Sequence, residues 1–308
     1  MSVPPVPAPP EFNSFAELDF ADLERSLLRP RTLISGLLTT LVAGMTLLAL
    51  IPLFSVVWML LWRGGHKLSM ICFTELPPAP LEQGGGFGNA ILGTLIIVCL
   101  AALIAIPFGV LSAVFLAQSA PDDKLALVVR FAAKVLTGFP SILAGVFAYG
   151  AIVLLTGGFS AIAGAVAVAI LMLPTILLTA EDAIRMVPAK MKEAAIGMGA
   201  TQTQVTLMVS LPTAMPGILT GIMLAVARGA GETAPLLFTA LFSNYWPLQH
   251  GRIDLLQPTA SLAVLIYNFA GTPFKNQVEL AWAAALVLVL LVLAANIAGQ
   301  LFSRRQVQ

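Results

Sequence analysis

Charged residues are scarce in this sequence. Only 10% of its 308 residues are Asp, Glu, Lys or Arg, whereas 58% are hydrophobic. Soluble domains carry about 25% charged residues. The composition therefore excludes an ordinary water-soluble domain and predicts a protein of the lipid bilayer.

Cysteine, histidine and net charge are also low. The two cysteines, Cys72 and Cys99, indicate neither a disulfide framework nor a metal site, and no H-E-x-x-H metal motif is present. A net charge of +1 argues against nucleic acid as the main partner. The sequence also lacks a G-x-x-x-x-G-K-[ST] phosphate loop, so it cannot hydrolyse ATP by that route. We therefore expect no catalytic residue, metal or cofactor in this chain.

Long uncharged runs predict membrane-spanning helices, each of which needs about 20 apolar residues. The run 135–180 would be about 70 Å long as one helix, so it must fold as a hairpin, with its turn at Thr156-Gly157-Gly158. The apolar patch 261–270 is too short to cross. An all-α fold with six spans results: residues 32–62, 89–120, 141–155, 159–179, 215–242 and 280–302.

The distribution of Lys and Arg predicts the orientation of these spans, because cytoplasmic loops are enriched in both. With the N-terminus inside, only Arg63, Lys67, Arg252 and Lys275 face the other side. Eleven basic residues then face the cytoplasm: Arg25, Arg29, Arg31, Lys124, Arg130, Lys134, Arg185, Lys190, Lys192, Arg304 and Arg305. We therefore expect both termini to be cytoplasmic.

The first 31 residues differ in kind from the rest. Their proline-rich start indicates a disordered or polyproline segment, without the features of a cleaved signal peptide. Residues 12–28 fit either a short helix at the membrane surface or a flexible tail. The predicted organisation is a cytoplasmic tail (1–31), a first transmembrane helix (32–67), a core with five further spans (68–303) and a cytoplasmic C-terminus (304–308).

The loop 181–212 contains residues at a characteristic spacing. Glu193-Ala194-Ala195 is followed by Gly199 and, after nine residues, by Val209-Ser210-Leu211-Pro212. This spacing resembles the EAA loop, E-A-A-x3-G-x9-I-x-L-P, of ABC-importer permeases. We expect a short helix over 190–198, a sharp turn at Gly199 and a separation from the next span at Pro212. A plain solvated loop is the alternative.

Two charges fall inside a predicted span. Arg228 lies near the middle of the span 215–242, and Glu232 follows one helical turn later. A charge at that depth costs about 2.5 to 3.5 kcal/mol and usually faces a cavity, although a structural ion pair is the alternative. A guanidinium suits a tetrahedral oxyanion, and a carboxylate can accept a hydrogen bond from the P–OH of phosphate but only repels sulfate. Thr233 could donate to the same anion, and Pro235 is expected to bend the helix.

The segment 228–240, R-G-A-G-E-T-A-P-L-L-F-T-A, resembles a signature of phosphate ABC-importer permeases, and Phe73-Thr74-Glu75 with the glycines at 84–86 resembles the outer loop of their PstA-type subunits. The resemblance implies a type I importer permease of MetI-like fold in the bacterial inner membrane, with residues 68–303 as the permease core. It places Arg228, Glu232 and Thr233 on the translocation path. It places Glu193, Ala194, Ala195 and Gly199 in the coupling element.

The same resemblance implies the partners. They are a PstC-type permease, a homodimer of PstB-type ATPases that binds ATP and Mg, and a periplasmic or lipid-tethered phosphate-binding protein, working by alternating access.

Other functions stay open at this point. An ABC permease for another oxyanion, such as phosphonate or molybdate, would share the EAA loop, and only residues 228–235 argue against it. An ion-coupled secondary transporter would use Glu232 as a proton carrier, although the internal repeats and further titratable groups common in that class are not evident. A role in signalling phosphate status through partners follows from the family alone.

Overall fold

The computed structural model describes residues 30–120, 122–249 and 252–305. The described chain is mostly helical, which confirms the predicted all-α class. The described chain divides into two compact units, with the boundary between Val57 and Trp58. The predicted surface helix over 12–28 and the last three residues lie outside the described residues.

The helices differ greatly in length, and three π-helical turns lie among them. In chain order the helices are α1 (Pro30–Met59), α2 (Ile71–Thr74), α3 (Gly88–Gln118), α4 (Lys124–Thr137), α5 (Ser141–Ala148), α6 (Ala161–Arg185), α7 (Ala189–Gly197), α8 (Leu211–Ala230), α9 (Ala234–Leu237), α10 (Leu262–Ala270) and α11 (Lys275–Arg305). Helix α1 continues through a π turn (Leu60–Gly64) and Gly65–Lys67, and α5 continues through a π turn (Tyr149–Val153) and Leu154–Thr156. Helix α8 is preceded by Gln202–Gln204 and a π turn (Val205–Ser210). Strands β1 (Leu248–Gln249) and β2 (Arg252–Ile253) pair antiparallel, with Leu248 opposite Ile253.

Five segments of the described chain are long and apolar enough to cross a membrane. They are Thr32–Lys67, Gly88–Gln118, Ala161–Arg185, Gln202–Ala230 and Lys275–Leu301. A sixth crossing is obtained if α4 and Ser141–Thr156, which meet at 108°, count as one bent span. The bend occurs at Pro140, since a proline disfavours helical backbone in the residue before it. Residues 135–137 therefore belong to α4 rather than to the predicted hairpin 135–180. The predicted hairpin turn is present, with Gly157 in the left-handed conformation at φ +75°.

The expected separation at Pro212 is wrong. The chain remains helical from Gln202 to Ala230, and the π turn Val205–Ser210 directly precedes the helix that contains Pro212. Local π adjustments can re-satisfy backbone groups that a proline leaves without partners in membrane helices. The fifth crossing thus begins 13 residues earlier than the predicted Met215, at Gln202.

Small residues form much of the contact between α3, α6 and α8. Ala105, Ala169 and Ala225 are buried in one cluster. A Cβ added to Gly109 would lie 2.8 Å from Ile176 Cγ2, so α3 and α6 touch closely. Membrane helices gain stability from such close approach, because lipid supplies no hydrophobic force between them. This packing holds the C-terminal end of α8 against α6.

Candidate functional site

Arg228, Glu232 and Thr233 lie where the fifth crossing ends. Helix α8 stops at Ala230, and α9 begins only at Ala234. The predicted continuous span 215–242 is therefore wrong, since Glu232 and Thr233 occupy a break between two helices. The Gly231 N–H donates to the Arg228 carbonyl at 3.1 Å, a tightened final turn of the kind common at helix ends.

Pro235 does not bend a longer helix. It lies in the first turn of α9, where the N–H that proline lacks is not needed. Close packing fixes this short helix, because a Cβ on Gly145 would lie 2.6 Å from the Pro235 Cα. On the other side, a Cβ on Gly164 would lie 2.9 Å from the Ala240 Cβ. Sequence reasoning missed both glycines, which position the segment after the break.

Arg228 and Glu232 form a loose ion pair. The Arg228 Nε lies 3.4 Å from Glu232 Oε1, and 43% of the arginine side chain is exposed against 14% of the glutamate side chain. This is the one hydrogen bond that the guanidinium makes within the described residues. Since a guanidinium carries five N–H donors, its terminal nitrogens remain available for a ligand. The partly exposed Thr233 follows Glu232 directly.

Gly229 explains why Arg228 points outward. A Cβ on Gly229 would lie 3.0 Å from both Met172 Sδ and Val168 Cγ1, so this face of α8 is closed against α6. In contrast, a Cβ on Gly231 would have only the Arg228 carbonyl oxygen within 4 Å, at 3.7 Å. The break therefore has one tightly packed side and one open side. The guanidinium lies on the open side, where a second subunit or a solvated path can reach it.

The predicted coupling residues lie on a short helix and the sharp turn that ends it, residues 189–200, which we call the knob. Helix α7 carries Glu193 and Ala194 on its exposed surface and buries Ala195. It ends with Gly199 at φ +89°, while the Ala200 N–H donates to the Ala195 carbonyl at 3.1 Å. This left-handed residue and the bond that spans it form a Schellman-type end, which glycine favours. The structure thus agrees with the predicted helix 190–198 and its sharp turn.

Apolar side chains remain exposed on the same knob. Met191 is 44% exposed, Ile196 51% and Met198 83%. Large solvent-accessible apolar side chains around a projecting helix indicate a surface that contacts another protein.

A buried charged cluster, which sequence reasoning missed, lies beside this knob. Helix α6 continues past the predicted end of the fourth span at residue 179 to Arg185, and Glu181 within it is only 3% exposed. Glu181 Oε1 accepts hydrogen bonds from Arg130 Nε at 3.0 Å and Arg130 Nη2 at 2.7 Å. The Arg185 Nε lies 2.9 Å from the same oxygen. Arg228 is therefore not the only charged residue within a crossing helix of the described chain, because Glu181 lies within α6.

This cluster also joins the end of another crossing. The Arg185 Nη2 donates to the Leu116 carbonyl at 3.1 Å, in the last turn of α3. Cations stabilise helix C-termini, where carbonyl groups lack helical partners. Helices α3, α4 and α6 are thereby tied together next to α7.

Comparison with known proteins identifies the family. Residues 105–308 match the family described as binding-protein-dependent transport system inner membrane component. The chain belongs to this family. As a member, it is a multi-pass membrane permease subunit, a transport component rather than an enzyme.

Several relatives of this family member carry the same description, "Phosphate transport system permease protein PstA". The protein of that name from Yersinia pestis is 38% identical over 83% of this chain and 87% of its own length. The one from Haemophilus influenzae is 40% identical over 82% and 89%. A protein described as a probable PstA permease from Methanocaldococcus jannaschii is 36% identical over 82% and 88%.

Solved structures confirm the predicted permease fold. A chain of a bacterial alginate ABC transporter superposes with a TM-score of 0.61 at 16% identity, covering 91% of this chain and 98% of its own. A chain of the inward-facing MetNI methionine ABC transporter superposes with a TM-score of 0.59 at 21% identity, covering 71% and 94%. At these identities the likeness concerns the fold alone.

Proposed function

We propose that this permease forms one half of the translocation pathway of an ATP-driven importer of inorganic phosphate. The observation that carries the proposal is the 38–40% identity, over more than four fifths of the chain, to relatives described as phosphate transport permeases. The available guanidinium of Arg228, beside the break at Glu232 and Thr233, supplies matching chemistry. Arg228, Glu232 and Thr233 are the proposed path residues.

The chemistry of the pair suits phosphate in particular. Two N–H groups of the Arg228 fork can bind two oxygens of a tetrahedral anion. Phosphate near neutral pH keeps at least one P–OH group, which can donate to the Glu232 carboxylate. Sulfate has no such donor, so the carboxylate repels it. The Thr233 hydroxyl can donate to a third oxygen.

The proposed partners complete the pathway. A PstC-type permease would face the open side of Arg228, and a phosphate-binding protein would deliver the anion from the periplasm. A PstB-type ATPase homodimer, with ATP and Mg, would receive α7 with Glu193, Ala194 and Ala195, while Gly199 ends that helix sharply. Both termini would then lie in the cytoplasm, with the protein in the bacterial inner membrane.

The decisive experiment is labelled phosphate uptake by the assembled importer in vesicles supplied with the binding protein. We expect Arg228→Ala to lower uptake about 10- to 100-fold, because hydrogen bonds to charged groups contribute about 1.5–3 kcal/mol. The exposed Arg252 provides a control, since Arg252→Ala removes the same charge outside the proposed path. Arg228→Lys, which keeps the charge but loses the planar fork, should recover only part of the uptake.

Other functions predict different results. Unchanged uptake in assembled Arg228→Ala would refute the assignment of the path. Uptake that is inhibited better by molybdate or a phosphonate than by unlabelled phosphate would indicate a different oxyanion. Uptake that follows the proton gradient and not ATP would indicate a secondary transporter.

A further inference from the structure

A groove of about 740 Å³ lies between the end of the first crossing and the start of the last. Residues 61–67 form one wall, and residues 273–282 form the other. The two walls meet at Gly64, where an added Cβ would lie 2.6 Å from the Trp282 carbonyl oxygen. The groove is therefore part of a closely packed helix contact within the second unit.

The groove carries an excess of positive charge. Arg63, Lys67 and Lys275 line it together with a single carboxylate, Glu279. Lys67 Nζ already neutralises that carboxylate, at 3.0 Å from its Oε2, and also donates to Asn276 Oδ1 at 2.9 Å. Three cations against one carboxylate leave two positive charges for a ligand.

Neither of the other two cations is fully paired. Lys275 lies 3.9 Å from Glu279, and its side chain is 92% exposed. Arg63 has no carboxylate within 4.0 Å among the described residues, and its guanidinium carbon lies 5.5 Å from the centre of the Trp282 ring. This cation–π contact orients Arg63 at the groove without neutralising it.

The rest of the wall is apolar and aromatic. Leu61 is 55% exposed and Trp62 71%, and Val278 and Trp282 face them across the groove. Tryptophan is enriched where membrane helices leave the hydrocarbon, with its ring at the level of the headgroups. The cations therefore stand at headgroup level, above side chains that suit a glycerol backbone and acyl chains.

The geometry points to a binding site for an anionic phospholipid, with its phosphate between Arg63 and Lys275 and its chains along Leu61 and Trp62. Basic pockets between membrane helices on the cytoplasmic side bind anionic lipid headgroups, and Arg63 and Lys275 offer the same chemistry on the side to which the predicted orientation assigns them. A groove of this volume accommodates a headgroup and glycerol, while the chains continue into the bilayer. Free phosphate would leave the exposed tryptophan and leucine uncovered. The groove shares no lining residue with the Arg228 break and does not depend on the proposed function.

The test measures lipid retained by the intact importer. The complex is reconstituted in equal amounts of phosphatidylglycerol and phosphatidylcholine, extracted in mild detergent, and its bound lipids are resolved by native mass spectrometry. We expect wild type to retain phosphatidylglycerol in preference. Arg63→Gln or Lys275→Gln should each lower this preference about fivefold, and both together about 25-fold. Arg252→Gln, which removes a charge outside the groove, is the matched control.

Several results would overturn the proposal. One is equal retention of the two lipids by wild type, which would result if a protein segment filled the groove in the complex. Another is an unchanged preference in Lys275→Gln. Because the Lys275 side chain is 92% exposed, this substitution should leave the fold intact, so the result would bear on lipid binding alone. A third is displacement of the lipid by millimolar inorganic phosphate but not by sodium chloride of equal ionic strength, which would indicate a free-phosphate site. An equal loss in Arg252→Gln would reduce the effect to general surface charge.

Discussion

Replacing Glu181 with glutamine removes the charge at the centre of the Arg130–Glu181–Arg185 cluster. Breaking a buried ion pair by removing one partner costs about 3–5 kcal/mol, because the remaining charge is buried without compensation. Here the side chains of Arg130 and Arg185 are 22% and 48% exposed, so water can solvate the released arginines in part. We reduce the expected loss for this screening to about 2–3 kcal/mol.

The assay is reversible unfolding of the purified subunit in mixed micelles of increasing SDS content. Asp182→Asn is the matched control, since Asp182 is exposed on the neighbouring position of the same helix. A double-mutant cycle with Arg130→Gln tests the pairing itself. The double variant should be more stable than the sum of the single effects predicts, by about 1 kcal/mol or more. Equal midpoints for Glu181→Gln and Asp182→Asn, or strictly additive effects, would refute the reasoning.

Three further predictions concern the proposed path and the proposed coupling helix α7. Glu232→Gln should reduce discrimination against sulfate about tenfold or more, measured as sulfate inhibition of phosphate uptake; unchanged discrimination would contradict the role of the carboxylate. Gly145→Ala should displace α9 at a cost of about 1–3 kcal/mol and lower uptake in assembled importer, whereas Gly150→Ala, with no atom within 4 Å of the new Cβ, should not. Gly199→Val forces a β-branched residue to φ +89°, which costs about 1–2 kcal/mol. It should weaken phosphate-stimulated ATP turnover, and Gly197→Ala, in open space on the same helix, should leave that turnover normal.

Hydrophobic runs and motif spacing were sufficient to predict the fold class and the short helix α7 with its turn at Gly199. They failed at the end of the fifth crossing, because hydropathy does not distinguish a continuous helix from two helices with a break at Gly231–Thr233. Pro235 is compatible with either arrangement, since proline suits both a kink and a first helical turn. The choice depends on the contact with Gly145, which is 90 residues earlier in the chain.

The buried glutamate could not be predicted for a related reason. A rule that ends a span at its first charged residue stops before Glu181, whereas the helix continues to Arg185. The compensating charge comes from Arg130 on another helix, 51 residues away. Only the Glu181–Arg185 spacing of four was visible as a local signal.

The π turn Val205–Ser210 affects the direction in which Arg228 points. A single-turn π segment holds one residue more than an α-helical turn, and one residue corresponds to about 100° of rotation about the helix axis. If this turn changed to α-helical hydrogen bonding while α7 stayed fixed, all of α8 would rotate as a rigid body about its axis, by about 100°. Arg228 would then leave the open side of the break. The direction of the Arg228 side chain, the proposed anion-binding group, therefore depends on the hydrogen-bond pattern of the π turn near α7, at the opposite end of the crossing.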